Sequence, residues 1–465
     1  MPVGVGPMLT GIRIRTPRII HLSLASCLAV ACQAPRAAAP NLPPPGDPHA
    51  VVDIPPALAQ PPAEPTPPVA PAPTPTPGQP GQPVTLPVLD AMFADPQFAA
   101  ALKLSLDLAD EQVEQLRTSA RAATKALMTR RGSVGAREAA SAAHETIRGT
   151  IGDAKTEPLE RFVRDYWTRD ENGEVVPASG TSDLPGGVPS DTRIVVNAPA
   201  YRMDVFHAGA LLATYRIGIG YPEFPLPTGT RTARSIIFNP TWTPPDESWV
   251  TGKWTAGERV AAGSRQNPLG VIKIPIGMPS LIHGGKQAKK LGGFASHGCV
   301  GLTNDQVQTL ARTLAEVTNT TITPDDLRAY AKASRRTVQV KLTAAVPIEL
   351  RYETIVIEAG KLRIYRDVYE RGTNTEDNLQ RVLEAAGVSP STLTDLERAR
   401  ITTGLQQMAL DAGGGLADHQ STSPDVTRTI KGAKVVEITI AALATQGYPA
   451  PARRPLQRAD KPTWW

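Results

Sequence analysis

The segment RIVVNAPAYRMDVFHAGALLATYRIGIG, residues 193–220, contains three short runs rich in β-branched and aromatic residues. Proline, glycine and other turn formers separate the runs, and this pattern is typical of short antiparallel strands. Residues 339–369 predict further strands, with a hairpin turn at Ala359 and Gly360. We therefore expect a β-rich, sandwich-like or barrel-like central domain.

Helical periodicity precedes this β-rich domain. Between residues 89 and 172, apolar residues recur every three to four positions, as at Val113, Leu116 and Ala120. The pattern predicts a small helical domain, to which we assign a spacer or binding role because it contains no group of residues typical of a reaction centre. His144 in this domain is expected to be a surface or packing residue.

Helices are also predicted after the β-rich domain, at residues 378–386 and 395–411, where apolar residues again have helical spacing. Together with the strands near residue 350, they predict an α+β extension over residues 323–450, followed by a tail at 451–465. The fold class predicted for the chain is therefore α+β, with a helical domain, a β-rich domain and an α+β extension in that order.

The composition excludes two classes of protein. The chain has 465 residues, of which 41% are hydrophobic, and no apolar run reaches the roughly 18 residues that a membrane-spanning helix needs. A polytopic membrane protein is therefore excluded. The formal net charge is +5, and it falls to +2 without the three arginines of residues 1–31. We expect no nucleic-acid partner, because the main electrostatic support for one is lost.

Residues 1–31 are typical of an export signal, with arginines up to Arg18 and then a short apolar run. Residues 28–32, LAVAC, resemble a bacterial lipobox, whose cysteine is lipidated and becomes the new N-terminus. Cys32 is therefore the expected lipid attachment site. Cys27, preceded by LAS, is an alternative.

A plain signal peptide, cut near Ala34 or Ala39, is the other alternative to lipidation. All of these interpretations predict export. With a lipid anchor, the protein is expected in the periplasm, attached to the outer membrane.

Residues 32–88 are predicted to form a disordered linker. Residues 35–87 contain 20 prolines, interleaved with alanine, threonine, glutamine and glycine. Such a segment buries too little apolar surface to offset its ordering entropy, and it favours extended polyproline II conformations. It would act as a stalk between an anchor and the folded domains.

The segment LIHGGKQAKKLGGFASHGCVGLTN, residues 281–304, has the residue types of covalent catalysis. Cys299 is the only cysteine that follows the export signal and its candidate lipid sites, and His283 and His297 lie near it in the sequence. A thiol attacks a carbonyl as the thiolate, and since the ordinary thiol pKa is about 8.5, an imidazole is the usual activator. We predict Cys299 as a nucleophile, with either histidine as its base.

This segment and four others resemble the L,D-transpeptidases with a YkuD-type catalytic domain. The matching blocks are, in order, IVVNAPAYRM from residue 194, PTG from 227, NPTWTPP from 239 with NPLG from 267, HG from 283 and SHGC from 296. Five blocks in the right order are specific, whereas SHGC alone would be weak. The resemblance implies a catalytic domain at residues 191–322.

The resemblance also implies roles for individual residues. Cys299 becomes the nucleophile and His283 the base, with the backbone carbonyl of Gly284 orienting the imidazole. His297 and Gly298, with the Cys299 amide, would form an oxyanion site.

Ser296 would fix this loop by hydrogen bonding. The implied donor substrates are peptidoglycan stem peptides, which are cleaved after the third residue with release of D-alanine. The implied acceptor is an amine of a neighbouring stem or of an envelope protein. No cofactor and no metal is expected.

Gly301 departs from the family pattern, in which many members carry arginine at this position. Lys286, Lys289 and Lys290 are candidates to replace that charge in substrate binding, and the alternative is a solvated surface loop. If the missing charge weakens donor binding, Gly301→Arg is expected to improve it.

Trp242, with two further tryptophans before residue 255, forms either a wall of the substrate groove or a core cluster.

Other classes of function are compatible with parts of the sequence. Papain-like peptidases also use cysteine and histidine, but there the cysteine comes first in the chain, whereas here His283 precedes Cys299. A zinc site built from these residues and His297 matches no common ligand spacing. With water as the acceptor, the enzyme would be an L,D-carboxypeptidase. A non-enzymatic envelope anchor is the alternative from another class.

Overall fold

The computed structural model describes residues 83–129, 135–167, 169, 184–247, 249–250, 252–277, 280–409 and 432–452. The predicted export signal, the candidate lipid sites Cys27 and Cys32, and nearly all of the predicted linker and tail lie outside the described residues. Within these residues, no helix is both long and apolar enough to span a membrane.

Among the described residues of the N-terminal part there are five helices: α1 (Leu86–Phe93), α2 (Pro96–Leu106), α3 (Asp110–Thr129), α4 (Ala136–Ile151) and α5 (Asp153–Tyr166). They pack around buried apolar residues such as Phe98, Leu116 and Val163. Helix α1 begins before the predicted boundary at residue 89, because the Thr85 hydroxyl accepts a hydrogen bond from the Val88 amide and caps the helix.

The part of the β-rich domain that the structure describes has ten strands: β1 (Arg193–Asn197), β2 (Arg202–His207), β3 (Ala210–Arg216), β4 (Ile219–Gly220), β5 (Gly229–Phe238), β6 (Ile272–Pro275), β7 (Leu281–His283), β8 (Phe294–Ser296), β9 (Val300–Gly301) and β10 (Val338–Arg351). Eight of them form one sheet in the order β3-β2-β1-β10-β5-β6-β7-β9, and β4 pairs with β8. Most pairs are antiparallel, but β1 with β10, β7 with β9 and β4 with β8 are parallel.

Strand β10 lies between β1 and β5 in this sheet, whereas the sequence analysis placed its residues in the C-terminal extension. Ile348 is opposite Ile194 on one side and Arg231 on the other. The sheet therefore includes residues beyond 322. Pairing between segments some 150 residues apart leaves no local pattern in the sequence. The C-terminal boundary of the β-rich domain could therefore not be predicted from periodicity.

Helices α6 (Asn304–Val317) and α7 (Pro324–Lys332) follow β9. Thr303 and Gln306 form a capping box at the start of α6. Val307, Leu310 and Leu314 of this helix are fully buried in the core of the β-rich domain. The first turn of α6 is thereby held just after the strand that follows Cys299.

The C-terminal part contains β11 (Ile355–Glu358), β12 (Lys361–Tyr365), α8 (Glu376–Ala385), α9 (Asp395–Ala409) and β13 (Val435–Ile438). The strands form a sheet in the order β11-β12-β13, covered by the two helices around Leu362, Leu383 and Met408. Ala359 and Gly360 both have positive φ, at 51° and 72°, as the predicted hairpin turn requires. The α+β fold class is confirmed.

Candidate active site

Two adjacent parallel strands bring His283 and Cys299 to the same edge of the sheet. His283 ends β7, and Cys299 immediately precedes β9, whose residues Val300 and Gly301 are in register with Ile282 and His283. The Leu302 amide donates to the His283 carbonyl at 2.8 Å and fixes this register.

The imidazole of His283 is buried and has a defined tautomer. Its Nδ1 lies 2.7 Å from the carbonyl oxygen of Gly284. Because a carbonyl only accepts, Nδ1 carries the proton and Nε2 of the neutral ring is a free acceptor. Burial, with a smaller contribution from the charges of Lys286 and Lys273, lowers the pKa of His283 to about 3. The ring is therefore neutral around pH 7.

The Cys299 thiol is half-buried and forms no disulfide. Burial raises the pKa of Cys299, and the charge of Glu247 adds to this effect. A hydrogen bond with the Leu281 backbone and the charge of Lys286 lower the pKa, without cancelling the effect of burial. The free site therefore holds a neutral thiol and a neutral imidazole at the ends of adjacent strands, which is the protonation state in which histidine can act as the base.

Hydrogen bonds fix the loop of residues 296–299, which we call the oxyanion loop. The Ser296 hydroxyl donates to the Cys299 carbonyl at 2.6 Å and accepts from the Cys299 amide at 3.0 Å. The Ser280 hydroxyl donates to the Gly298 carbonyl at 2.8 Å. Gly298 has φ 93°, a conformation that favours glycine.

Ser296 forms two hydrogen bonds with the Cys299 backbone, and its loop-fixing role stays a prediction. The Cys299 amide was expected among the oxyanion donors, but in the structure its hydrogen is taken by Ser296. A substrate oxyanion bound by this amide would have to replace the Ser296 hydroxyl as acceptor.

The ring of His297 lies among aromatic side chains. It stacks on Trp249, with ring centroids 4.1 Å apart and planes 5° from parallel. Phe224 and Tyr221 contact it edge-on, with centroids at 4.6 and 5.2 Å. These three contacts hold His297 beside Gly298.

Trp249 is the tryptophan that reaches the site, whereas sequence reasoning singled out Trp242. Trp242 lies behind Trp249 at a centroid distance of 6.3 Å and also contacts Trp254. The closeness of the three tryptophans in the sequence indicated a cluster, but it did not show which ring faces His297.

Glu247 is a second site residue that the sequence did not indicate. Its carboxylate accepts a hydrogen bond from the Trp249 indole. Burial, together with the charge of Asp90, raises the pKa of Glu247 to about 8. The same carboxylate influences Cys299. A carboxyl group that titrates near neutral pH therefore lies close to the candidate nucleophile.

The helical part contributes to the surroundings of the oxyanion loop. A small cavity there is lined by α1, by the residue after α5 and by active-site residues, among them Val88, Ala91, Trp167, Phe224, His297 and Gly298. The Thr85 hydroxyl donates to the Glu223 carbonyl at 2.5 Å. Arg121 donates to the carboxylate of Asp246 at 2.6 Å. The predicted spacer domain is thus part of the wall of the site.

Tyr369, from the C-terminal part, supports the loop that carries Phe224. Its hydroxyl donates to the Gly220 carbonyl and accepts from the Leu226 amide, both at 3.0 Å. The hydroxyl is buried, so both bonds are shielded from water.

His144, predicted to be a surface or packing residue, is partly exposed on α4, and its Nδ1 is 2.9 Å from Glu160. Among the residues that the structure describes, no group of three histidine, cysteine, aspartate or glutamate side chains is arranged to hold a metal ion.

The fold and this site define a family of catalytic domains. Residues 191–323 match the model of the L,D-transpeptidase catalytic domain, YkuD. The match confirms the resemblance seen in the sequence: residues 191–323 are similar to an L,D-transpeptidase catalytic domain.

Comparison with individual proteins gives partial matches. The probable L,D-transpeptidase YbiS of Escherichia coli K12 is 31% identical over 180 residues, which cover 35% of this chain and 58% of YbiS. The YbiS of E. coli O6:H1 matches to the same extent. The chain thus spans less than two thirds of the length of these relatives.

Solved structures also match the chain in part. An L,D-transpeptidase from Mycobacterium smegmatis is 16% identical, with a TM-score of 0.23, and the match covers 35% of this chain and 59% of that one. The catalytic domain of the E. faecium L,D-transpeptidase is 16% identical, with a TM-score of 0.24, over 36% of this chain and 100% of that one.

Proposed function

We propose that the protein is a peptidoglycan L,D-transpeptidase that works through a Cys299 thioester. The observation that carries this proposal is the arrangement of β7 and β9, which places a histidine with a free Nε2 on the strand adjacent to the cysteine. The family match of residues 191–323 supports the same class of reaction.

The first half-reaction forms the acyl-enzyme. His283 Nε2 takes the proton of the Cys299 thiol, and the sulfur attacks the carbonyl carbon of the third residue of a donor stem. The tetrahedral intermediate collapses, the C–N bond to D-alanine breaks, and the imidazolium returns its proton to the leaving amine. The products of this step are D-alanine and a thioester on Cys299.

The second half-reaction transfers the acyl group. An acceptor amine attacks the thioester carbonyl, His283 takes a proton from the attacking nitrogen, and the C–S bond breaks to give a new amide. The proton then returns to the Cys299 sulfur, and the free enzyme is restored. The acceptor is a second stem peptide or an envelope protein.

The location of the protein is part of the proposal. We propose that residues 1–31 direct export and that Cys32 carries a lipid anchor, which would attach the protein to the outer membrane on its periplasmic side. The support is the sequence alone: the apolar run, the LAVAC segment and the proline-rich residues after it.

Product analysis tests the reaction. The purified protein is incubated with disaccharide tetrapeptides, and the products are separated by mass. Cross-linked dimer with released D-alanine supports transpeptidation, whereas free tripeptide alone identifies an L,D-carboxypeptidase. If Cys299→Ala forms the same products at the same rate, the proposed mechanism is wrong.

A further inference from the structure

The position of Lys286 is fixed by backbone contacts on both sides of the chain turn after His283. The Lys286 amide donates to the Leu302 carbonyl at 3.0 Å. The preceding Gly285 has φ 78°, and its amide donates to the Asn304 side-chain oxygen at 2.9 Å. These contacts determine the direction in which the lysine side chain leaves the backbone.

The aliphatic part of Lys286 lies directly over Gly301. A Cβ atom at residue 301 would be 2.8 Å from Cγ of Lys286 and 3.0 Å from its Cε. The backbone of Gly301 has no positive φ that would itself demand glycine. Glycine at this position therefore makes room for the lysine, two residues after Cys299.

The charge of Lys286 acts on both reacting groups. It favours the thiolate of Cys299 and disfavours protonation of His283. The other charged groups that influence these side chains are Lys290 next to Lys286, Lys273 beside His283 and Glu247 beside Cys299.

We propose that Lys286 supplies the positive charge against which the Cys299 thiolate forms, and that Gly301 is required to seat it. Lys286 is thus a positioning residue that acts through Cys299. The inference deepens the proposed function and rests on it only in taking Cys299 as the nucleophile.

The protonation state of Lys286 sets a pH window for this effect. Burial lowers the pKa of Lys286 to about 8, against the opposing influence of Cys299. At pH 7 the ammonium is still mainly protonated and favours thiolate formation. Above about pH 8 the charge is progressively lost, so the effect of Lys286 is expected only below this value.

The test measures thiol reactivity and needs no peptidoglycan. The rate of alkylation of Cys299 by iodoacetamide is followed from pH 5 to 10 on the peptide that carries this residue, so that Cys27 and Cys32 do not contribute. Lys286→Met keeps the aliphatic stem and removes the charge. Alkylation at pH 7 is expected to slow about tenfold, since a nearby opposite charge changes a pKa by about one unit or more.

Two variants control for structure and charge. Lys332→Met removes an exposed lysine of α7 and should leave the profile unchanged. Lys286→Arg keeps the charge and is expected to react faster than Lys286→Met. Thermal melting confirms that each variant is folded.

Gly301→Ala tests whether Lys286 needs the space that Gly301 leaves for its side chain. It should slow alkylation in the wild-type background and have no further effect in Lys286→Met. Superimposable profiles for folded wild type and Lys286→Met would overturn the proposal. If alkylation is slower in Lys286→Met than in the wild type, but the wild type forms no peptidoglycan product, the role of Lys286 is supported and the proposed function is rejected.

Discussion

Trp249 and His297 stack face to face, with ring centroids 4.1 Å apart and planes within 5° of parallel. The two residues are 48 positions apart, and the contact joins the tryptophan-containing loop to the oxyanion loop. Phe224 and Tyr221 contact the same ring edge-on.

Trp249→Ala should therefore lower turnover. Aromatic stacking contributes about 1 kcal/mol beyond the buried area, so we expect a loss of about fivefold from misplacement of His297. Trp249→Phe retains a ring and should lose less. Steady-state kinetics with a tetrapeptide donor measure the effect, and equal rates for wild type and a folded Trp249→Ala would show that the stack has no catalytic role.

His283 should make folding sensitive to acid. Its imidazole stays neutral in the folded protein down to about pH 3, whereas the unfolded chain binds a proton near the ordinary pKa of 6.5. The contribution of the neutral His283 to the free energy of unfolding is therefore complete above pH 6.5, and it is lost as the pH falls below this value.

Between pH 6.5 and 4, the unfolding free energy of the wild type should fall more steeply than that of His283→Gln, by up to about 1.4 kcal/mol per pH unit. Urea unfolding at several pH values measures both slopes. Parallel slopes would mean that His283 takes up a proton in the folded state.

Gly301→Arg is now expected to impair the enzyme, contrary to the expectation from the sequence. Its Cβ would lie 2.8 Å from Lys286 Cγ and would displace the lysine. Overpacking of this kind costs about 1 to 3 kcal/mol, and a loss of transition-state stabilisation of that size lowers kcat/KM about five- to 150-fold.

In a Lys286→Ala background, the arginine has room, so Gly301→Arg should add little to the loss of activity that Lys286→Ala itself causes. A lower KM for Gly301→Arg alone would show that Lys286 can be displaced without loss of activity.

Arg121→Ala should affect activity more than stability. The Arg121–Asp246 ion pair is exposed, and such pairs contribute about 0 to 1 kcal/mol to stability. It also ties α3 to the loop that carries Trp249, so its loss should lower turnover about fivefold by loosening that loop.

Lys103→Ala breaks a comparably exposed pair, with Asp110, inside the helical part and is the matched control. If both variants keep wild-type turnover, α3 does not position the loop.

Local sequence was sufficient to predict the components of the site that lie close together in the chain. Ser296, His297 and Cys299 occupy one turn, and His283 is on the neighbouring strand only 16 residues earlier. The sequence therefore indicated which of these residues would lie together, and their catalytic roles stay a prediction. The hairpin at Ala359 was predictable for the same reason, because its turn is formed by adjacent residues.

The contacts between distant segments could not be predicted in this way. Trp249 reaches His297, and Tyr369 reaches Gly220, only after the sheet has folded. The packing of the Lys286 side chain over Gly301 depends on the parallel register of β7 and β9. These relationships are set by packing in three dimensions, and neither composition nor periodicity records them.

Trapping of the acyl-enzyme shows whether Cys299 carries the acyl group. Wild-type protein is mixed with a tetrapeptide donor in the absence of acceptor, quenched in acid after a short interval and digested, and the peptide containing Cys299 is weighed by mass spectrometry. We predict that this peptide gains the mass of the tripeptide acyl group in the wild type, and that Cys299→Ala acquires no adduct. Product formation by Cys299→Ala, or an acyl adduct at another residue of the wild type, would contradict the account.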